Sequence, residues 1–497
     1  MSSSVQTANG TRPFTAARLL AFIRSEAPGS FAVIAALSAV AFFWYARRFP
    51  EPPYFGGDAE HYWKLGATFF SGGSFSLLGS EQTFRGYLLP LIFGSVQQVG
   101  ALTGLNPFTV FYLVNAVLTA VSLAIVIPLL AVKLFDVRVQ MWQVAAFIAL
   151  FVVFWRGYLV EPLSDSWSLF LVLASLLALV HAAERRPAGA AALGFLAGLC
   201  LAAAINLRPI YLACLPLYLI GALLLMYRRL FTLAAILIPM GAAFLLVLAP
   251  QSMLNLKYLG TANPFTHSGS LYTLQLFFGL AVQRHECAYY IDPAGVELLK
   301  VSGINVLAEQ GDGRSLFALD ISQRDTSQYL SIVLKHPIDA AGIYARHVVN
   351  GMALLGSNIY HCMPGQPRSL FNVGSLAVVL LGAAAALLFG PRLRNARYHA
   401  LAWIPLIPVA LTIPTAMEGR FFLAVHLWAY ALLCFVSPWV AWRPALASHA
   451  RTVLPAMGVV FLFAVSQLSL TFASTYAWQG ANKDGVLLKP YTILLNN

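Results

Sequence analysis

The residues of this sequence best placed to do chemistry are carboxylates and arginines in short polar turns. Asp58 and Glu60 stand in GGDAEHYW, where two glycines permit a tight turn and an acidic residue opens a helix. Asp is a favoured helix N-cap, and capping by itself accounts for it. A carboxylate held at a membrane surface has a second use, taking a proton from a bound hydroxyl. Both readings stand for Asp58, with Glu60 as the alternative base. Glu161 and Asp165 lie four residues apart in VEPLSDSW, a spacing that puts them on one face of a helical turn. Arg85 in EQTFRGYLLP, Arg208 in INLRPIY and Arg420 in MEGRFF each offer a planar fork of donors that suits a phosphate. Snorkelling to a membrane interface explains any one such arginine; several converging with carboxylates point to a ligand. His61 and Glu81, close to these motifs, complete the polar set that would line a substrate site. His61, His336, His347 and His361 form no pair with metal-ligand spacing, so no metal is assigned.

Apolar segments must position these groups. The chain is 59% hydrophobic and 10% charged, against roughly a quarter charged in soluble proteins. Its net charge of +12 is spread in twos and threes at the ends of apolar runs. That pattern is membrane topology, and it argues against nucleic acid as a partner. About eleven spans are predicted, at 29–47, 109–134, 140–157, 166–184, 188–206, 208–227, 231–250, 371–390, 398–416, 421–440 and 453–472. The polar, basic N-terminus lacks a small-residue cleavage site, so the first span is read as retained.

Alternate connections carry Lys133 and Arg138, Arg185 and Arg186, Arg228 and Arg229, Arg392, Arg394 and Arg397, and Arg443 and Arg451. All of these are cytoplasmic if the N-terminus is; Arg47 and Arg48 are the exception. Of the 19 Asp and Glu residues, only Glu26, Asp136 and Glu184 then face the cytoplasm. The expected organisation is an N-terminal membrane module (1–250) whose first outer loop (49–108) carries interfacial helices. An outer segment (251–370) follows, then C-terminal spans and an outer tail (371–497). Segments 58–71, 85–102 and 326–355 have the spacing of amphipathic helices lying in the interface. Cys200, Cys214 and Cys434 sit in apolar runs as small apolar residues, and Cys287 and Cys362 are either a disulfide or two free thiols.

The order of these motifs resembles the GT-C glycosyltransferases, nearest the branch of protein O-mannosyltransferases and the bacterial lipid A aminoarabinose transferase. The stretches that carry the resemblance are GGDAEHYWKLGATFFSGGSF, FRGYLLPLIFGSVQQVGALTGLNPFTVFYLVNAVLTA, EPLSDSWSLFLVLASLLAL, GFLAGLCLAAAINLRPIYLACLPLYL, APQSMLNLKYLGTANPF and EGRFFLAVHLWAYAL. They cover most of the chain in the family's order, although each is short. The resemblance implies an all-α polytopic enzyme of the bacterial inner membrane with a periplasmic active site. Its donor would be a polyprenyl-phosphate sugar and its acceptor an envelope lipid, glycan or protein, with no cofactor. Asp58 would be the inverting base, Arg85, Arg208 and Arg420 would hold the lipid phosphate, and Asp165 would orient acceptor or sugar. Two departures stand out: Ala59 separates Asp58 from Glu60, and Arg85-Gly86-Tyr87 replaces the aminoarabinose-type Arg-Pro-Pro-Gly.

Two other classes fit the same composition. A transporter or flippase would place ionisable groups near mid-membrane, where the predicted spans hold little beyond His426. Pro128, Pro216, Pro239 and Pro408 do interrupt spans, and no internal repeat is visible. A polymerase or ligase using a lipid-pyrophosphate donor would share the outer cavity.

Overall fold

The structure is a computed structural model that describes residues 28–49, 57–79, 85–226, 229–266, 269–285, 289–304, 306–311, 314–319, 325–357, 368–389, 398, 401–436, 452–474 and 477–478. Among these residues nine helical segments are long and apolar enough to cross a bilayer. The chain is a helical, multi-pass membrane protein.

Helix α1 (Pro28–Ala46) is followed by the short α2 (Gly57–Thr68) and α3 (Leu88–Thr103). These two match the expected interfacial helices, and they cross where two glycines meet. A Cβ on Gly66 would lie 2.6 Å from the Gly94 nitrogen, and one on Gly94 would lie 2.3 Å from the Gly66 carbonyl oxygen. Backbones this close leave no room for side chains, so the crossing fixes how α2 and α3 pack on each other.

Next come α4 (Pro107–Val121), which runs through a π-helical turn (Ser122–Val126) into α5 (Ile127–Phe135), and α6 (Met141–Trp155). Pro107 opens α4 at a position where its missing N–H costs nothing, and the Asn106 side chain accepts the Phe108 N–H at 2.8 Å. Helices α7 (Ser164–Ala183), α8 (Pro187–Leu207), α9 (Leu215–Met226) and α10 (Leu230–Leu259) complete the first module. Helix α10 continues beyond the predicted end at residue 250, carrying both Pro239 and Pro250 within it. Gln251 therefore stands on a membrane helix, where the sequence reading starts a loop.

Helices α11 (Gly269–Ala281), α12 (Pro293–Val301), α13 (Thr326–Lys335) and α14 (Pro337–Met352) form a separate outer layer. Phe277, Leu280, Leu299 and Ile343 are buried together in it. The predicted helix over 326–355 is two helices, because Pro337 follows His336 and ends the first. Short antiparallel strands that the helical reading leaves out accompany them. Strands β1 (Val282–His285) and β2 (Tyr289–Ile291) pair, as do β3 (Val306–Gly311) and β4 (Arg314–Leu319), and β5 (Ala477–Trp478) adds to β2.

The C-terminal module holds α15 (Arg368–Phe389), α16 (Ile407–Thr412), α17 (Leu423–Ala431) and α18 (Val453–Ser474). The predicted span 398–416 is not a continuous helix. Pro405, Pro408 and Pro414 remove backbone donors that a continuous helix would need. Helical residues at 398 and 401–402 are followed by a 3₁₀ turn (Ile404–Leu406), the six-residue α16 and a loop. The predicted final span is α18, whose apolar stretch is Pro455–Ser469.

The loop after α16 is held by the outer layer. The Ala416 N–H donates to the Gln275 carbonyl at 3.2 Å, and His347 Nδ1 donates to the Ile413 carbonyl at 2.5 Å. Burial pushes His347 down to about 4, against help from the Ile413 carbonyl and from Asp292. The folded protein thus favours the neutral ring. The stability from this site is complete above the ordinary histidine value of about 6.5 and is lost as pH falls toward 4. The melting temperature of the detergent-solubilised protein is expected to fall from pH 7 to pH 5, and His347→Gln to shrink that fall. An identical fall in the variant would exclude His347 as its source.

Candidate active site

Three arginines and three carboxylates meet where α2, α7, the end of α8 and the turn Gly419–Phe422 converge. Asp58 lies in the first turn of α2, where the helix N-terminus favours a negative charge. Its Oδ1 accepts from Arg85 Nη2 and its Oδ2 from Arg420 Nη2, the latter at 2.8 Å. Asp165 lies in the first turn of α7, is 3% exposed and is ion-paired to Arg208. It also accepts from Arg420 Nη1 at 3.4 Å. Glu418 closes on Arg420 Nε at 2.5 Å. Arg420 thus touches all three carboxylates from one guanidinium that is 8% exposed.

Aromatic rings complete the cage. The Arg85 guanidinium lies over the Tyr62 ring, 4.5 Å from its centre, and Arg208 lies over Phe421 at 5.1 Å. The Tyr62 hydroxyl donates to Ser164 Oγ at 3.4 Å, joining α2 to the start of α7. The Tyr158 hydroxyl reaches the Arg420 carbonyl at 3.5 Å.

The predicted residues do not all share this position. Asp58, Asp165, Arg85, Arg208 and Arg420 are brought together. Glu60 is not: it is exposed on α2 and pairs with Lys64 one turn on. His61 is half-buried on the same helix. Glu161 is buried in the turn before α7, its N–H on the Gly157 carbonyl at 3.0 Å. Glu81, together with His361, Cys287 and Cys362, lies outside the described residues. Glu418, two residues before Arg420, also belongs to the site, as do Tyr62 and Phe421, and none of the three is marked by sequence spacing.

Electrostatics follow from the pairing. Burial works against the Asp58 charge, but Arg85 and Arg420 outweigh it and hold this carboxyl well below the usual carboxylate range. Asp58 is accordingly an anion at every physiological pH, with both oxygens engaged. Among the described residues no three His, Cys, Asp or Glu side chains converge as metal ligands.

A cleft opens beside the cluster. Asp165, Arg208 and Arg420 form its polar end, and Leu169, Ile210, Pro408 and Val409 its apolar wall. The break in the chain at 404–415 supplies that wall, since α16 and the 3₁₀ turn Pro209–Cys214 face each other across it. The cleft thus sets two guanidinium groups beside an apolar wall. No protein-family model and no curated protein matches this chain.

Arg420 is the centre of the charge balance, so its loss takes a counter-charge from all three carboxylates. Arg420→Met is expected to destabilise the protein by about 3–5 kcal/mol in a reversible unfolding titration, the usual cost of breaking a buried pair on one side. Arg420→Lys recovers only part of this, because one ammonium cannot bridge three carboxylates as a planar fork does. Equal stability of Arg420→Met and wild type would show that the cluster is not held by this residue.

Asp58 gives a second check. Its depressed folded value means that its contribution to stability is complete above the unfolded carboxylate value of about 3.9 and is lost only as pH falls below it. The difference in melting temperature between wild type and Asp58→Asn is therefore expected to be constant from pH 5 to pH 8. A difference that shrinks across that window would contradict the pairing.

Proposed function

We propose that the protein transfers a sugar from a polyprenyl-phosphate donor to a hydroxyl of an envelope acceptor, with inversion at the anomeric carbon. The observation that carries this reading is the junction of a carboxylate, Asp58, with arginines at the polar end of an apolar cleft. Arg208 and Arg420 have the chemistry to hold a lipid phosphate, and the apolar residues Leu169, Ile210, Pro408 and Val409 that of a surface for its prenyl chain. The resemblance of motif order to the GT-C glycosyltransferases supports the same class. In this reading the chain crosses the inner membrane about eleven times with its N-terminus in the cytoplasm, and the site faces the periplasm.

The acceptor oxygen attacks the anomeric carbon from the face opposite the phosphate. The bond between that carbon and the phosphate oxygen breaks, and polyprenyl phosphate leaves with the electron pair. The acceptor proton passes to Asp58. The leaving group is already a good one and needs its charge neutralised, which the arginines supply. An Asp58 engaged by two guanidinium groups is a weak base. Binding of the donor phosphate draws arginine hydrogen bonds away from the carboxylate and returns its basicity at the moment the acceptor is present. Asp165, paired with Arg208 and Arg420, keeps both guanidinium groups aimed at the phosphate.

The test uses purified protein in nanodiscs with radiolabelled polyprenyl-phosphate sugars and an extract of envelope lipids, lipopolysaccharide included, and glycans. Transfer is expected, and Asp58→Asn is expected to lower it on the order of 10³-fold while the protein stays folded. Full activity in Asp58→Asn removes Asp58 as the base. The broken span at 404–415 also suits a transporter; energy-driven substrate uptake into proteoliposomes without transfer would replace the enzyme reading with that one.

A further inference from the structure

A line of buried amide side chains runs behind the arginines and contains no charge at all. Asn206, two residues before Arg208, accepts the Leu88 N–H on Oδ1 at 2.9 Å. Its Nδ2 donates to Gln251 Oε1 at 3.2 Å, and the same oxygen accepts the Tyr87 N–H at 3.1 Å. Gln251 Nε2 then donates to Asn255 Oδ1 at 3.0 Å, and Asn255 Nδ2 donates to the carbonyls of Asn263 and Phe265 at 2.6 and 2.7 Å. Asn206, Gln251 and Asn255 are 2%, 0% and 1% exposed.

The line grips the chain immediately after Arg85. The Tyr87 N–H and the Leu88 N–H stand at the start of α3, where no helical partner exists for them. Tyr87 is held a second time, by its hydroxyl on the Val247 carbonyl at 2.9 Å. Gly86 lies so close to α8 that a Cβ would fall 1.7 Å from the Asn206 carbonyl oxygen. One residue, Asn206, therefore carries Arg208 on its own helix and clamps the turn that carries Arg85.

We propose that Asn206 and Gln251 are positioning residues that hold the Arg85 turn against the end of α8, and so fix Arg208 in the phosphate subsite and Arg85 on Asp58 beside it. The proposal rests on the lipid-phosphate reading of the cleft. A buried amide is retained in a membrane bundle only where its hydrogen bonds are met, and here each amide meets them through the others. Replacing one frees the backbone at 87–88 while every charged residue of the site stays in place. The Arg85 turn then loses its fixed place against α8 without losing its charge.

Wild-type protein in nanodiscs is titrated with a polyprenyl phosphate, with the uncharged polyprenol of the same length as blank. Gln251→Met and Asn206→Ala are each expected to weaken phosphate-dependent binding on the order of tenfold, the scale of effect for a misplaced binding group. Both are also expected to speed hydrogen exchange at the amides of Tyr87 and Leu88. Ser175→Ala removes an equally buried bond, from Ser175 Oγ to the Ala197 carbonyl at 2.7 Å, elsewhere in the bundle. It should change neither measurement. Either Gln251→Met or Asn206→Ala suffices if the other does not fold.

Binding by the folded variant that matches wild type or Ser175→Ala overturns the positioning role, whatever the exchange rates do. Arg208→Gln in the same titration separates the two levels. Weakened binding there alongside normal binding in the amide variants removes only the proposal made here. Unchanged binding in Arg208→Gln removes the lipid-phosphate reading itself.

Discussion

A guanidinium shielded from water must find its counter-charge inside the protein, and Arg420 finds three. Asp58, Asp165 and Glu418 come from three separate parts of the chain and meet on its three nitrogens. Charges in a medium of low dielectric attract strongly but pay a large desolvation penalty, so the arrangement persists only if every member is matched. Arg85 and Arg208 supply the remaining match, one for Asp58 and one for Asp165. The start of α2, the start of α7, the end of α8 and the turn before α17 are thereby held at one point.

That constraint explains features at a distance from it. Helices α2 and α3 meet glycine on glycine, and Arg85, just ahead of α3, reaches Asp58 in the first turn of α2. The three prolines between 404 and 415 interrupt the helix ahead of Glu418 and Arg420, and Pro408 and Val409 line the cleft. The outer layer grips that segment through Gln275 and His347. The layer is therefore hydrogen-bonded to the segment that leads into Arg420.

Several parts of the site were legible in the sequence because each was pinned locally. Asp58, Asp165, Arg208 and Arg420 all lie in turns a few residues from an apolar run, and the charge pattern of the loops assigns such turns to one side. Other parts were not. Asp58 and Glu60 are equivalent by composition, yet Asp58 faces two arginines while Glu60 faces Lys64 on the helix exterior, because positions two apart on a helix point in different directions. Glu418 reads as an ordinary loop carboxylate until Arg420 is seen beside it. Asn206, Gln251 and Asn255 are neutral and sit in or beside apolar runs, where no pattern of charge or period marks them.

The sequence by itself determined that this is a multi-pass helical membrane protein and where most of its helices run. It also determined which polar turns could share a side of the membrane. Those properties follow from local hydropathy and charge, which act over about 20 residues at a time. Only the tertiary structure decided which carboxylate meets which arginine, since Asp58 and Arg420 stand 362 residues apart. It also decided that residues 398–416 are not one continuous helix, and that a neutral line of amides underlies the charged cluster. Pairings of that range depend on close approach between helices, and close approach is a property of packed surfaces that no local window contains.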